Sequence, residues 1–508
     1  MEIVKRLSAI IIFLCLLVSV LAGCAGTDDE PQPADQSAAV SDESPAGPLD
    51  HIETRDLDIV LNVLVEGDHM NRYASVEIMP SETNSDLLNE NIEERNNLVE
   101  EKLGVTLNEI RTDATNNMQT LIRNDNISGT KLYDIVMPYF NDAVMLAPEG
   151  MFLNLYDYSD YIRFDAPYWD QRCIEDVSIA GKLYFATGDI SLLTFDCTHC
   201  LIFNKDLLAE SGITEDPYQL VLDGEWTIDK LHEMARAATS DSDGETGMTY
   251  EDTWGFFVNL NYATSLFVGS GERLSQKDED DMPIITVNTE RAITVMDKIV
   301  ELYGDQASTI QIESFATEAS GNGTDCWAEA TRAVAEGRAL FRSMAIVDLH
   351  ELDDYEDVNY GILPTPKFTA DQEEYHCNVS TIYASSIAIP SQTPNNPEDI
   401  AIALEALAAA SSVTVRDAYY NNILKTRSLQ DDESEKMLDI MFENRVYDLG
   451  AIYGWGQTTG IYDPDSLTNF LNYIATSGQN TFASKWQSIQ SKVEQGLKET
   501  LEQYEKLN

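Results

Sequence analysis

The chain has 508 residues and a formal net charge of -56, from 88 acidic and 32 basic side chains. Such an acidic surface repels phosphate backbones and anionic headgroups, which argues against nucleic acid as a partner and favours a neutral or cationic ligand. The hydrophobic fraction of 43% is ordinary for a globular protein, and much of the acidity serves solubility.

The first 23 residues have the three parts of a bacterial signal peptide. Lys5 and Arg6 form a positive start, residues 7–21 are almost entirely apolar, and small residues precede Cys24. The apolar run is shorter than the ~20 residues of a membrane-spanning helix. This pattern predicts a lipobox, with cleavage before Cys24 and acylation of its thiol. A plain signal peptide that contains a cysteine by chance is the alternative.

Residues 24–56 are predicted to be a flexible acidic tether. They are rich in Pro, Ala, Ser and acidic residues and hold too little apolar surface to fold. Two acyl chains on Cys24 would anchor the protein stably at the extracellular face of the cell membrane. About 450 residues remain for the folded part, which is enough for two lobes.

Strands and helices alternate in the first part of the folded region. Apolar, β-branched stretches predict strands over 57–65, 105–110 and 133–138, and helical spacing predicts helices over 87–103 and 118–123. This alternation indicates a parallel α/β sheet. Ligands of such sheets bind at the carboxyl ends of the strands, so the loop after the third strand is a candidate site.

The rest of the chain also mixes strands and helices. Apolar runs predict strands over 189–203, 339–344, 359–364 and 385–390, and helical spacing predicts a helix over 289–303. A helix over 330–337 is predicted to stop at its glycine, and an amphipathic charged pattern predicts a helix over 486–507. Asn204 and Asn396 are typical helix caps, and Pro397 stands where a first helical residue is expected.

Five cysteines remain after processing, and they are Cys173, Cys197, Cys200, Cys326 and Cys377. An odd number leaves at least one thiol free or intermolecular. Cys197 and Cys200 form a C-x-x-C pair, which can be redox-active or half of a zinc site. A structural or incidental role is favoured, because the pair lies in a predicted strand and the sequence has no second C-x-x-C.

Motifs of catalysis and metal binding are incomplete. His232-Glu233 and His350-Glu351 each lack the second histidine of a zinc-protease helix. Residues 241–245 resemble the start of a calcium loop, but Thr246 occupies the position that needs glycine. We therefore predict no catalytic residue, no metal site and no cofactor.

Seven segments follow the lipobox in a recognisable order: YDIVMPY, GKLYFATGD, LIFNKDLLAESGI, GEWTIDKLHEMARAAT, AVAEGRALFRSM, VNYGILPTPKF and SSIAIPSQTPNNPEDIAIALEAL. As an ordered set, they resemble extracellular solute-binding protein family 1, the sugar-type binding lipoproteins of ABC importers. The resemblance covers nearly all of the mature chain. It implies a two-lobed α/β fold of the periplasmic-binding-protein type with crossover hinge strands. Lobe 1 would comprise 57–195 and 387–449, and lobe 2 would comprise 196–386 and 450–508.

A sugar offers apolar C–H faces and a belt of hydroxyls, which suit aromatic rings and polar side chains. The candidate ligand-binding residues are Tyr139, Asn141, Asp142, Asp189, Asp196, Trp254, Arg342, Met344, Tyr383 and Trp455. We expect at least half of them to line the cleft between the lobes. Structural alternatives are packing for the tryptophans, a helix cap for Asp142 and an ion pair for Arg342.

The function that the resemblance implies is a monomeric, membrane-tethered receptor rather than an enzyme. It would capture a carbohydrate, in particular a neutral oligosaccharide, by lobe closure and deliver it to an ABC transporter permease. An extracellular carbohydrate-active enzyme is the main alternative. A lipoprotein that binds metal through Cys197 and Cys200 is a further one.

Overall fold

The computed structural model describes residues 47–507, except for 68–71, 114–116, 243, 245–246, 356–357, 425–428 and 430. The predicted signal peptide, the acylation of Cys24 and most of the tether fall outside these residues, as does the centre of the calcium-like loop. Within the part that is described, no helix combines the length and apolar character needed to cross a bilayer.

The first sheet is parallel and is built as the sequence predicts. Strands β1 (Ile59–Val65), β2 (Val105–Arg111) and β3 (Ile135–Val136) lie in the order β2-β1-β3, with helices α1 (Asp86–Leu103) and α2 (Met118–Ser128) between them along the chain. The side chain of Ser85 caps the start of α1, and Gly104 ends it with a φ of 63°. A residue without a side chain adopts this left-handed conformation at little cost.

Short helices connect the first sheet to the second. They are α3 (Phe140–Leu146), α4 (Gln171–Val177) and α5 (Leu192–Asp196), with 3-10 turns at Ala147–Glu149 and Leu155–Tyr158. The single strand predicted over 189–203 is therefore wrong in its first half. Leu192, Leu193 and Phe195 are all buried, and a run that is apolar on every side does not distinguish a helix from a strand.

The second sheet has five strands in the order β10-β4-β9-β5-β8 and is mixed. Strand β4 is antiparallel to β9 and β10, whereas β5 is parallel to β8 and β9. A separate hairpin pairs β6 with β7. The strands are β4 (His199–Asn204), β5 (Trp254–Val258), β6 (Ser275–Lys277), β7 (Pro283–Ile285), β8 (Thr309–Gln311), β9 (Ala339–Ala345) and β10 (Tyr360–Leu363).

Helices pack against the second sheet and link its strands. They are α6 (Lys205–Glu210), α7 (Pro217–Leu222), α8 (Ile228–Ala238), α9 (Tyr262–Gly269), α10 (Glu290–Gly304), α11 (Ala316–Gly321) and α12 (Cys326–Ala335), with 3-10 turns at Ile312–Phe315 and Ile346–Leu352. The side chain of Asn204 accepts the amide hydrogen bond of Leu207, which confirms the predicted cap of α6.

The C-terminal part returns to the first sheet and then adds helices beside both sheets. Ser385, Ile387 and Ala388 form isolated bridges with Tyr139, Ala186 and Val136, so this stretch extends the edge of the first sheet without a regular strand of its own. The remaining elements are β11 (Cys377–Asn378), α13 (Pro397–Ser411), α14 (Val415–Leu424), α15 (Asp432–Glu443), β12 (Arg445–Val446), α16 (Leu449–Tyr453), α17 (Phe470–Thr476) and α18 (Phe482–Glu505).

The two sheets, each with its own helices, give the two-lobed α/β architecture that the sequence predicts. Helices α13 and α14 pack on α1 beside the first sheet, while α15 packs on β10 of the second. Helix α17 contacts α10 on the side of the second sheet. The lobe boundaries at 195/196, 386/387 and 449/450 stay predictions.

Candidate functional site

Two adjoining cavities lie between the sheets and form one cleft. The first cavity, about 290 Å³, takes its walls from Arg72 and Tyr73 after β1 and from Met344 and Ala345 at the end of β9. The second cavity, about 310 Å³, lies beside α3 and the segment after α16. Both cavities share four lining residues, which are Thr381, Ile382, Ala451 and Thr468.

Strand direction explains the position of the cleft. Strands β5 and β9 run parallel and both end at the first cavity, where Asn259 follows β5 and Met344 lies at the end of β9. Tyr73 lines the same cavity from the other lobe and follows β1 along the chain. The cleft therefore occupies the edge at which parallel α/β sheets bind their ligands.

Aromatic rings form one wall of the first cavity. Tyr73 and Tyr383 are stacked with ring centroids 3.9 Å apart and an interplanar angle of 12°. Tyr139 meets Tyr383 edge-on at 5.9 Å, and its hydroxyl donates to the Tyr73 carbonyl over 2.6 Å. Trp327, which is 37% exposed, lines the same cavity from the second lobe. Flat rings on two walls suit the C–H faces of a sugar.

Amide side chains supply much of the polar lining. In the first cavity these are Asn259, Asn261, Asn378, Asn469 and Asn472, and in the second they are Gln119, Asn141 and Gln457. The Oδ1 atoms of Asn378 and Asn141 are buried without a hydrogen-bond partner in the described structure. An unpaired buried acceptor is unfavourable, so each is a point where a ligand hydroxyl could donate.

The charge of the lining is close to neutral. Among the described residues that line the two cavities, Asp348 is the one carboxylate, and its Oδ1 lies 2.9 Å from Nη2 of Arg72. Burial lowers the pKa of His199 to about 4, so its ring is uncharged at neutral pH. The cleft therefore has amides, hydroxyls and rings with little net charge, although the whole chain is strongly acidic.

Three of the ten predicted site residues line these cavities. Asn141 lines the second cavity, whereas Met344 and Tyr383 line the first. Two more lie directly behind the wall. Tyr139 supports the stacked tyrosines, and Asp142 accepts a 2.6 Å hydrogen bond from Nε2 of Gln119, a lining residue. Burial raises the pKa of both side chains.

Both predicted tryptophans pack elsewhere. Trp254 begins β5, at the end of the strand away from the cleft, and its Nε1 donates to the Thr249 carbonyl. Trp455 is 3% exposed, stacks on Tyr453 and donates from Nε1 to the Thr500 hydroxyl of α18 over 3.0 Å. Residue type alone does not distinguish these two buried tryptophans from the exposed Trp327.

The remaining three predicted residues form ion pairs or hydrogen bonds outside the cavity linings. Asp189 lies 3.5 Å from Nε of Arg416, and burial raises its pKa to about 7. Asp196 accepts a hydrogen bond from the Tyr419 hydroxyl. Arg342 is 1% exposed and lies 3.6 Å from Glu351, so the ion-pair alternative describes it. Three of ten is fewer than the half that we expect from the sequence.

Several residues that line the cavities are not among those predicted from the sequence. Arg72 and Tyr73 follow β1 along the chain, as Tyr139 follows β3, but they lie further from the end of their strand. Asn469 and Asn472 are three residues apart at the start of α17, on one helical face. Asn378 gives no such signal, since only the fold brings it to the cleft.

The cysteines do not form a metal or disulfide site in the described part of the chain. All five are buried and free. No group of three or more His, Cys, Asp or Glu side chains among the described residues is arranged to hold a metal ion. Burial raises the pKa of Cys197 and Cys200 well above its ordinary value, which opposes thiolate chemistry at neutral pH.

Two α/β lobes with a polar and aromatic cleft between them define the periplasmic-binding-protein class. Residues 96–414 match the model of the bacterial extracellular solute-binding protein family, and the chain belongs to that family. The resemblance predicted from the sequence is thus confirmed at the level of extracellular solute-binding proteins. Members of this family serve transport as substrate-binding proteins. No curated protein sequence matches the chain.

Solved structures share the fold at low sequence identity. The sugar-binding protein MalE from Xanthomonas citri has a TM-score of 0.57 and 13% identity, over 88% of this chain and 99% of that chain. UgpB from Mycobacterium tuberculosis, in complex with glycerophosphocholine, has a TM-score of 0.52 and 14% identity, over 78% of this chain and 91% of that chain. A cyclo/maltodextrin-binding protein complexed with maltotetraose has a TM-score of 0.51 and 14% identity, over 88% of this chain and 97% of that chain. At these identities, the likeness establishes the fold.

Proposed function

We propose that this protein is an extracellular receptor that captures a neutral oligosaccharide in the cleft and delivers it to an ABC transporter permease. The observation that supports this most is the lining of the first cavity. It combines stacked tyrosines and the exposed ring of Trp327 with a set of asparagines. Acylation of Cys24 and the tether over 24–56 would keep the receptor beside its membrane partner.

The ligand chemistry follows from what the cleft offers. Amide side chains both donate and accept, as sugar hydroxyls do. The lining charges Arg72 and Asp348 already neutralise one another, so the described part of the lining offers an anion no positive charge that lacks a partner. The two connected cavities together have room for more than one ring, because ligand pockets of ≈ 300–1,000 Å³ hold drug-sized molecules.

An enzyme acting on the same sugars is the second candidate, and the lining disfavours it. Glycosidases of the common type need two carboxylates that flank the scissile bond. The described lining of the two cavities offers Asp348, and this carboxylate is engaged by Arg72 and by the Ala345 amide. Release of reducing sugar from an oligosaccharide by the purified protein would support the enzyme instead.

A thermal-shift screen tests the proposed function. The panel contains maltose, maltotetraose, ribitol and glycerophosphocholine, together with other neutral oligosaccharides. A ligand present at 100 times its dissociation constant adds ~2.7 kcal/mol to the unfolding free energy. We expect a clear rise in Tm with at least one neutral oligosaccharide and no turnover of it. A panel in which no glycan raises Tm would contradict the assignment.

A further inference from the structure

Arg72 reaches across the mouth of the cleft to two carboxylates of the other lobe. Its Nη2 lies 2.9 Å from Asp348, and its Nη1 contacts Glu351. We propose that Arg72 is a positioning residue that holds the two lobes together without ligand, so that the closed arrangement is populated before a ligand binds. This inference does not depend on which ligand the cleft takes.

The arginine side of this contact, Arg72, is fixed to the first lobe. The Arg72 guanidinium lies 5.3 Å from the centroid of the Tyr73 ring, and that ring stacks on Tyr383. The Tyr73 carbonyl accepts the hydroxyl of Tyr139, which directly precedes α3. Two residues further on, the Ser75 carbonyl accepts a 2.7 Å hydrogen bond from Arg111 of β2. Arg72 therefore moves with the first sheet.

The two carboxylates that Arg72 contacts are fixed to the second lobe in the same way. Asp348 and Glu351 lie in the 3-10 turn that follows β9. Asp348 accepts a 3.0 Å hydrogen bond from the Ala345 amide. Glu351 accepts the hydroxyl of Thr331 in α12 and lies 3.6 Å from the buried Arg342. Both carboxylates are thus positioned by their own lobe before Arg72 meets them.

The geometry favours a contact of real strength over an incidental surface pair. One planar guanidinium lies next to two carboxylates, so it gains two charge attractions where a single ion pair gains one. The side chains are 33%, 12% and 26% exposed for Arg72, Asp348 and Glu351. Partial burial strengthens the attraction, while the remaining exposure leaves it sensitive to salt.

The consequence for binding is a population effect. The apparent affinity of a ligand falls by the fraction of protein that is in the competent state. A contact that favours closure without ligand therefore raises the apparent affinity for ligand. Arg72 and Asp348 also line the first cavity. The competing reading is that the pair merely forms whenever other forces close the lobes. The two readings differ in ligand-free protein.

Hydrogen–deuterium exchange of the full chain without ligand distinguishes these readings. The test variant is Arg72→Gln, which keeps a polar side chain and removes the charge. The control is Arg236→Gln, which breaks the 2.6 Å contact of Arg236 with Asp305, a pair that lies entirely beside the second sheet. Peptides that cover Asn259, Asn378 and Asp348, which all line the first cavity, report on exposure of the cleft.

We expect Arg72→Gln to raise exchange at least threefold in these peptides, and Arg236→Gln to leave them as in the wild type. Raising sodium chloride from 50 mM to 1 M should increase exchange in the wild type but not in Arg72→Gln, because the screened contact is already absent. Unchanged exchange in Arg72→Gln, or an increase confined to the stretch around Tyr73, would overturn the inference. Equal increases in both variants would overturn it as well.

Discussion

Glu66 shows how the fold changes the chemistry of a single side chain near the cleft. It follows β1 directly, is 2% exposed and accepts a 3.0 Å hydrogen bond from the Thr112 hydroxyl. Burial raises the pKa of its carboxyl from 4.5 to about 7, more than the Thr112 hydrogen bond lowers it. The folded protein therefore keeps this carboxyl protonated over a pH range in which the unfolded chain releases the proton.

This gives a signed prediction for Glu66→Gln. Stability from a raised carboxyl pKa is complete below the unfolded value of 4.5 and is lost as pH rises through about 7. A shift of this size corresponds to about 3 kcal/mol, at ~1.4 kcal/mol for each pKa unit. We expect the wild type to lose roughly that amount of unfolding free energy relative to Glu66→Gln between pH 4.5 and pH 8.

Urea denaturation at both pH values measures this difference. Glu93→Gln, at an exposed position of α1, is the control and should follow the wild type. Parallel pH dependences for the wild type and Glu66→Gln would show that Glu66 is ionised in the folded protein, contrary to the account.

At the scale of elements, helix α8 approaches the second sheet closely at Gly255 of β5. A Cβ placed there would lie 1.9 Å from the carbonyl oxygen of Ala235 in α8. The backbone of α8 therefore rests directly on the strand, and a methyl group could enter only if the helix moved. Overpacking of this kind typically costs about 1–3 kcal/mol.

Gly255→Ala should lower the free energy of unfolding by about 2 kcal/mol or more, since the obstructing atoms are backbone atoms. Gly321→Ala is the matched control, because no atom lies within 4 Å of its Cβ position. We expect this control to be neutral or slightly stabilising. Equal urea midpoints for the two variants would contradict the close packing of α8 on β5.

The elements that the sequence predicts well have a start signal, a stop signal or both. Helix α1 has a serine cap and a glycine stop, and α13 begins with the predicted Asn396 and Pro397. The run 189–203 lacks such signals, so the sequence predicts a strand where the structure has the helix α5. The predicted strand over 385–390 forms only isolated bridges, because its pairing partners are set by the tertiary fold.

At the scale of the whole molecule, the cleft is harder to predict than the fold. Local sequence places Tyr139 and Asn141 near a strand end, and the structure puts both at the cleft. Trp327, Asn378 and Asn472 come from three distant segments that the fold brings together. Helical spacing links Asn472 only to its neighbour Asn469 and gives no sign that Trp327 or Asn378 lies beside it, since each belongs to a different element. The sequence prediction includes Trp455 and omits Trp327, whereas the structure buries Trp455 and exposes Trp327.

The central claim is that the cleft binds a neutral oligosaccharide through its exposed rings. The most direct test measures the dissociation constant of the oligosaccharide with the largest thermal shift, by titration calorimetry on the wild type, Trp327→Ala and Trp455→Ala. Trp327→Ala should weaken binding at least about tenfold with little change in Tm. Trp455→Ala should lose about 3 kcal/mol of stability but bind as the wild type does. Wild-type affinity in Trp327→Ala, or no measurable binding of any neutral oligosaccharide, would contradict the account.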